Sequence, residues 1–240
     1  MSLNPKRAAD ELEARLRAVG TAERAEHERR YLKSDLQHLG VTVWQIDREV
    51  KAFAAQWPEL SHDELVALVE ALWAKPVHER RMAAVMLLEA YPELVAPKNL
   101  PLLERLIRES RTWAYVDGLA ANVLGELLVR SPRTAPKLDR WAKDSDFWVR
   151  RSALLAQIRP LKQGRSFGRF GRYADSMLEE KEFFIRKAIG WVLRETGKTR
   201  PDEVYEWLEP RSVRASGVTM REAVKYLKPE QREALQANRG

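Results

Sequence analysis

A chain of 240 residues with 45% hydrophobic and 32% charged side chains can bury one continuous core, so a single domain over 1–240 is the first expectation. A mean hydropathy of -0.49, with no apolar run near the ~20 residues a membrane helix needs, argues against a membrane protein, and the lack of cysteine excludes disulfides, thiolate nucleophiles and cysteine-ligated metal centres. The net charge of +7 is uneven: residues 1–100 carry -2, whereas residues 130–172, with twelve Lys or Arg against three Asp, carry +9.

Residues 1–10 hold no apolar run of signal-peptide length, which with the missing cysteines points to a cytoplasmic protein. Amphipathic helices are predicted over 8–19 and 43–57 from apolar residues recurring at steps of three and four. Over 63–73 the stripe is Leu65, Leu68, Val69 and Leu72, with Ser61 as N-cap and Glu64 three residues on as a capping box. Further helices follow over 80–90, 100–108, 116–130, 148–158, 182–195, 204–208 and 221–227. Prolines at 58, 76, 92, 97, 132, 160, 201, 210 and 229 fall between these blocks, where they end helices. No stretch alternates with period two, so the fold is predicted to be all-α. The break in regularity is Pro160 to Tyr173, a Gly/Arg/Phe segment that reads as a flexible basic loop over 161–173.

An internal repeat narrows the architecture. Asp146 to Ala153 lines up with Glu182 to Ile189, and Met220 to Ala223 continues the series, with apolar anchors Val149, Ile185 and Met220 separated by 36 and 35 residues. A helical unit at that period predicts a curved α-solenoid of HEAT-like repeats with a concave binding surface.

The basic stretch also holds Trp141, Phe147, Trp148, Phe167 and Phe170, with Tyr173 one residue beyond it. Cations interleaved with aromatics suit a polyanion with stackable groups, which makes nucleic acid the leading partner, with a merely solvated basic surface as the other reading. Trp113 and Asp117, four apart, share one helix face at the margin of the apolar stripe. An acid there also complements the helix dipole, and a tryptophan at that angle also fits a core. Trp191 points roughly 130° away from the mean direction of Ile185, Ile189, Val192, Leu193 and Thr196, so its indole needs another helix or a ligand to cover it. His27, His38, His62 and His78 show no metal-ligand spacing, and neither a metal nor a cofactor is expected.

At these residues the sequence resembles the bacterial AlkD-type alkylpurine DNA glycosylases, built from HEAT-like repeats. Arg30-Tyr31-Leu32-Lys33 with Leu39-Gly40, Trp113 through Asp117 in TWAYVD, Trp148-Val149-Arg150-Arg151 and, above all, Glu182 through Glu195 carry the resemblance, which spans roughly residues 8–228. It implies that Asp117 is the catalytic carboxylate, that Trp113 and Trp191 flank the sugar of the damaged nucleotide, and that Arg151 contacts the DNA backbone. Tyr31, Lys33, Arg150, Arg186, Lys187 and Arg194 would join it as phosphate anchors, although a solvated helix-face charge is the alternative for each. Two departures stand out: Thr112 and Ala114 replace a tryptophan and an aspartate that the family often has there, and Pro160 to Tyr173 is richer in Gly and Arg.

The implied substrate is duplex DNA with N3- or N7-alkylated purines, bound by a monomer on the concave face and hydrolysed without flipping the base into a pocket. An alkylated purine of this kind is already cationic and leaves neutral, so it needs no general acid. One carboxylate then suffices where ordinary glycosidases use two. A non-catalytic binder of damaged or structured DNA and a protein-interaction scaffold are the competing classes.

Overall fold

Eight of the described helices begin where a side-chain oxygen takes an otherwise unpaired backbone N–H. The computed structural model describes residues 3–238, and by its internal packing the chain divides into two units, Met1–Asn99 and Leu100–Gly240. No described helix is long and apolar enough to cross a membrane.

The first unit holds α1 (Pro5–Val19), α2 (Ala22–Leu32), α3 (Val43–Gln56), α4 (His62–Ala74) and α5 (His78–Ala90). Its caps are Asn4, Thr21, Thr42 and Ser61, and the capping box between Ser61 and Glu64 is present as the spacing predicted. Arg80 is buried and ties three helices together, bonding to Asp10 at 3.0 Å, Glu13 at 2.6 Å and the carbonyl of Ala71 at 2.7 Å. The Leu39-Gly40 turn rests on buried Glu79, whose carboxylate accepts the backbone N–H groups of Leu39, Gly40 and Val41 at 2.8–3.2 Å. Gly40 has φ 77°, and a β-carbon there would run into the Thr21 backbone, so only glycine fits.

The second unit contains α6 (Leu100–Ser110), α7 (Trp113–Asp117), a π-helical stretch (Gly118–Leu124), α8 (Gly125–Arg130), α9 (Ala135–Trp141), α10 (Phe147–Leu155), α11 (Ile158–Lys162), α12 (Gly168–Met177), α13 (Phe183–Gly197), α14 (Pro201–Leu208), α15 (Gly217–Ala223) and α16 (Pro229–Ala237). Its logic is the predicted repeat, which extends one unit further back than the sequence pattern alone reveals. Thr112, Asp146, Glu182 and Ser216 are equivalent N-caps 34, 36 and 34 residues apart, and each accepts a backbone N–H two or three residues on. The helices they open stack in order, and Val149, Ile185 and Met220 are all buried between them. Helices α13 and α15 approach closely: a β-carbon on Gly190 would stand 2.8 Å from the Thr219 carbonyl oxygen.

Two expectations are corrected. Pro160 to Tyr173 is not a flexible loop, because Pro160 lies within α11 and α12 begins at Gly168. The aromatics decide this: Phe167, Phe170 and Tyr173 are buried, both phenylalanines pack against Trp207, and Tyr173 donates to Asp139 at 2.6 Å. Helix propensity would disfavour Gly168 and Gly171, yet Gly171 makes room for the Trp207 indole, so packing overrides propensity. Secondly, Pro201 and Pro229 open helices rather than close them, since the first helical position has no use for the missing N–H.

Candidate functional site around Asp117

Five residues past their caps, successive repeat helices present Asp117, Arg151 and Lys187, and on α15 Glu222 stands six residues past Ser216. These residues meet in pairs across the stack. Arg151 donates from Nε to Asp117 Oδ1 at 2.8 Å and from Nη2 to Oδ2 at 2.9 Å, a two-point fork on one carboxylate. Lys187 donates to Glu222 at 2.6 Å.

Arg151 is held on every side. Its side chain is only 3% exposed, Nη1 donates to the Phe184 carbonyl, and the guanidinium carbon lies 5.8 Å from the centre of the Phe184 ring. Phe147, Trp148 and Phe184 close the apolar wall beside it, with ring centres 4.6 to 6.3 Å apart. Asp117 is 20% exposed, so the pair points its carboxylate, not its guanidinium, at solvent. Two bonds occupy part of a carboxylate that has about four acceptor directions, leaving room for a water or a positive centre.

Trp113, the first residue of α7, is 36% exposed one helical turn before Asp117. Trp191 is half-buried and lines a cavity of about 530 Å³ with Ala121 and Asn122, the turn just after Asp117, and with Arg159, Lys162 and Arg194. The two indoles therefore lie toward opposite ends of the helical turns that carry the acid. Directly after Asp117 the chain is π-helical for seven residues, Gly118–Leu124, a geometry that tends to mark functional sites and that no sequence pattern announced.

The predicted cationic residues separate into distinct environments. Arg151 is not an exposed phosphate anchor, because its fork is consumed by Asp117. Arg150 donates to both oxygens of Glu180 and to the carbonyls of Asp144 and Ser145. Arg186 caps the Glu180 carbonyl at 2.6 Å. Lys187 and Arg194 converge on buried Glu222: burial would raise its carboxyl, but hydrogen bonds from Lys187 and Lys225 and the charge of Arg194 hold it down at about 2. Tyr31, 68% exposed, and Lys33, exposed in the left-handed conformation that ends α2, belong to the first unit. Phe184, whose carbonyl and ring seat Arg151, escaped the sequence reading as a site residue.

Among the described residues one cluster has metal-ligating side chains, Glu28, His38 and His78, with ligand atoms within 4.8 Å of one another. The two imidazoles stack with centres 4.4 Å apart and planes 9° from parallel. A metal ion lies in the plane of each imidazole that binds it, at about 2.0–2.1 Å from nitrogen, and two stacked rings cannot both meet that condition. Their burial instead favours neutral rings: burial first, then the neighbouring His38, pushes His78 down to about 3, and burial lowers His38 as well.

Residues 12–227 match the sequence profile of the family described as DNA alkylation repair enzyme. The chain belongs to that family. Its fold is shared with a predicted DNA alkylation repair enzyme from Enterococcus faecalis, at 23% identity and a TM-score of 0.78, covering 88% of this chain and 97% of that one. AlkD2 from Streptococcus mutans is similar at 16% identity and a TM-score of 0.66, covering 94% of this chain and all of its own. A third structure, smu.31 from Streptococcus mutans UA159, matches at 19% identity and a TM-score of 0.57 over 78% of this chain and 99% of its own. No curated protein matches the chain. Family membership gives the enzyme a role in alkylation repair, with DNA as its partner.

Proposed function

We propose that this member of the alkylation repair family is a DNA glycosylase that hydrolyses the N-glycosidic bond of cationic N3- and N7-alkylated purines in duplex DNA. The observation that carries the reading is a single partly exposed carboxylate, Asp117, fixed by the Arg151 fork and accompanied by the indoles of Trp113 and Trp191. A lone acid suits a substrate whose leaving group already bears the positive charge. As the bond breaks the base leaves neutral, and the sugar takes on oxocarbenium character that a carboxylate and two aromatic faces stabilise. Asp117 also orients the attacking water and accepts its proton as the new C–O bond forms.

Arg151 is then a positioning residue. Its fork sets the direction of the carboxylate, and the Phe184 carbonyl sets the direction of the fork. No second acid stands beside Asp117 among the described partners of this pair, which supports substrates that need none. The absence of a required base pocket in this scheme extends the range to bulky cationic adducts.

The direct test is release of 7-methylguanine or 3-methyladenine from alkylated duplex by purified protein, alongside duplexes containing uracil or hypoxanthine. Release of the cationic bases and refusal of the neutral ones is expected. Efficient uracil or hypoxanthine release would contradict the one-carboxylate scheme, and no release from any duplex would leave a binding protein.

A further inference from the structure

The Pro160 to Tyr173 segment folds into a feature that the Asp117 site does not use. Arg165, Arg169 and Arg172, spaced four and three apart, line one cavity of about 430 Å³ together with Ser166. Its far wall is Leu128 and Pro132, at the other end of the helical run that begins with Trp113. Leu128 lies eleven residues beyond Asp117, and Asp117 is not among the residues that line this cavity, so the cavity is separate from the acid.

All three guanidinium groups are held, but only Arg169 is held by an acid. Asp139 takes Arg169 at 3.1 Å and also the Tyr173 hydroxyl. Arg165 donates to the Val129 carbonyl at 2.8 Å and Arg172 to the Gly168 carbonyl at 3.2 Å, both uncharged acceptors. One carboxylate thus faces three cations, and two forks are pre-set by backbone with most of their five N–H groups uncommitted. Clustered arginines repel one another, and a site that holds three of them with a single acid gains most from an anion with several oxygens.

We propose that Arg165, Arg169 and Arg172 form a phosphate-binding site remote from Asp117, and that the phosphate it takes belongs to the backbone of duplex DNA. That source rests on the glycosylase reading above, whereas the preference for phosphate rests on the cavity. The site adds affinity without sequence information and without touching the reacting sugar.

The test is the double variant Arg165→Gln/Arg172→Gln beside Arg165→Lys/Arg172→Lys, leaving Arg169 on Asp139. Duplex affinity is measured from 50 to 200 mM salt, and base release under single-turnover conditions at saturating duplex. The glutamine pair should weaken binding about ten-fold and flatten the plot of log K against log salt by about two, near 0.9 per phosphate lost. The lysine pair should keep most of the slope, and the saturated rate should stay within two-fold for both. A second arm follows the arginine Nε–H signals of the wild-type protein by NMR during titration with inorganic phosphate. Unchanged duplex binding in the glutamine pair together with phosphate-sensitive Arg165 and Arg172 signals would overturn the DNA source and leave a site for a small phosphorylated molecule. Unchanged duplex binding with no phosphate response would overturn the site. Wild-type protein that binds no duplex would defeat the glycosylase reading, while the phosphate arm still decides the cavity.

Discussion

Removing Asp117 should cost stability as well as activity, and the two losses can be separated. Arg151 is almost wholly buried and spends Nε and Nη2 on Asp117, so Asp117→Ala leaves a desolvated guanidinium with only the Phe184 carbonyl and ring for company. Breaking a buried pair in this way costs about 3–5 kcal/mol, and the lower end applies because Asp117 is 20% exposed and water can enter the vacated space. For a chain of this size ~3 kcal/mol corresponds to a fall in melting temperature of roughly 6–12 °C. Asp117→Asn keeps one acceptor and should lose less, about 2 kcal/mol, yet its base release should fall by roughly 10²–10⁴. The decisive variant is Asp117→Ala/Arg151→Met, which removes both charges. It should recover much of the lost stability and none of the activity, as read by thermal unfolding and single-turnover base release. An Asp117→Ala protein that melts with wild type would refute the buried-pair argument, and wild-type base release from Asp117→Asn would refute the catalytic assignment.

Arg151→Lys keeps the charge but not the fork, so kcat should fall while duplex affinity and its salt slope stay at wild-type values; a slope reduced by about one would place Arg151 on a phosphate after all. Trp113→Ala and Trp191→Ala should each slow the single-turnover rate more than they weaken undamaged duplex binding, and a loss confined to undamaged binding would argue for a mere stacking role. Gly190→Ala should destabilise the protein by about 1–3 kcal/mol despite a helix-propensity gain of about 1, because the new methyl meets the Thr219 carbonyl; an unfolding midpoint at or above wild type would show that α15 yields instead. His78, at about 3 in the folded chain against 6.5 when unfolded, makes the unfolded state the stronger proton binder between those values. Stability should therefore fall by up to about 5 kcal/mol as pH drops from 6.5 to 3, and His78→Gln should flatten that acid limb in pH-dependent urea unfolding.

What the sequence revealed and what it hid follow from the range of the interactions involved. Periodic apolar residues and local caps are short-range features, so the helices around Leu65 or Ile185 and the box at Ser61 were legible. The helix Ala22–Leu32 was not, because it buries no residue and therefore shows no apolar stripe. Gly168–Met177 reads as a loop in the sequence because Trp207, some forty residues away, supplies the contact that makes its glycines acceptable. The candidate residues Asp117, Trp113 and Trp191 stand out in the sequence through TWAYVD and the block ending at Glu195. The pairing of Arg151 with Asp117 is not legible in the sequence, since contact across 34 residues depends on the stacking of one repeat on the next.

The same stacking changes the meaning of the basic stretch. Of the twelve cations in residues 130–172, seven have carboxylate partners: Arg130 and Arg159 on Glu126, Lys137 on Glu104, Arg150 on Glu180, Arg151 on Asp117, Lys162 on Glu195 and Arg169 on Asp139. All but one of those acids lie outside the stretch in sequence, so a linear count of +9 overstates the local charge. The cations left without an acid among the described residues are Arg133, Arg140, Lys143, Arg165 and Arg172, all exposed. If nucleic acid binding on this unit follows uncompensated charge, these five should govern the salt dependence more than Arg150, Arg151, Lys187 or Arg194, each of which answers an acid at fixed geometry. The stacking thus separates cations that answer an acid at fixed geometry, Arg151 on Asp117 among them, from the five exposed ones that do not.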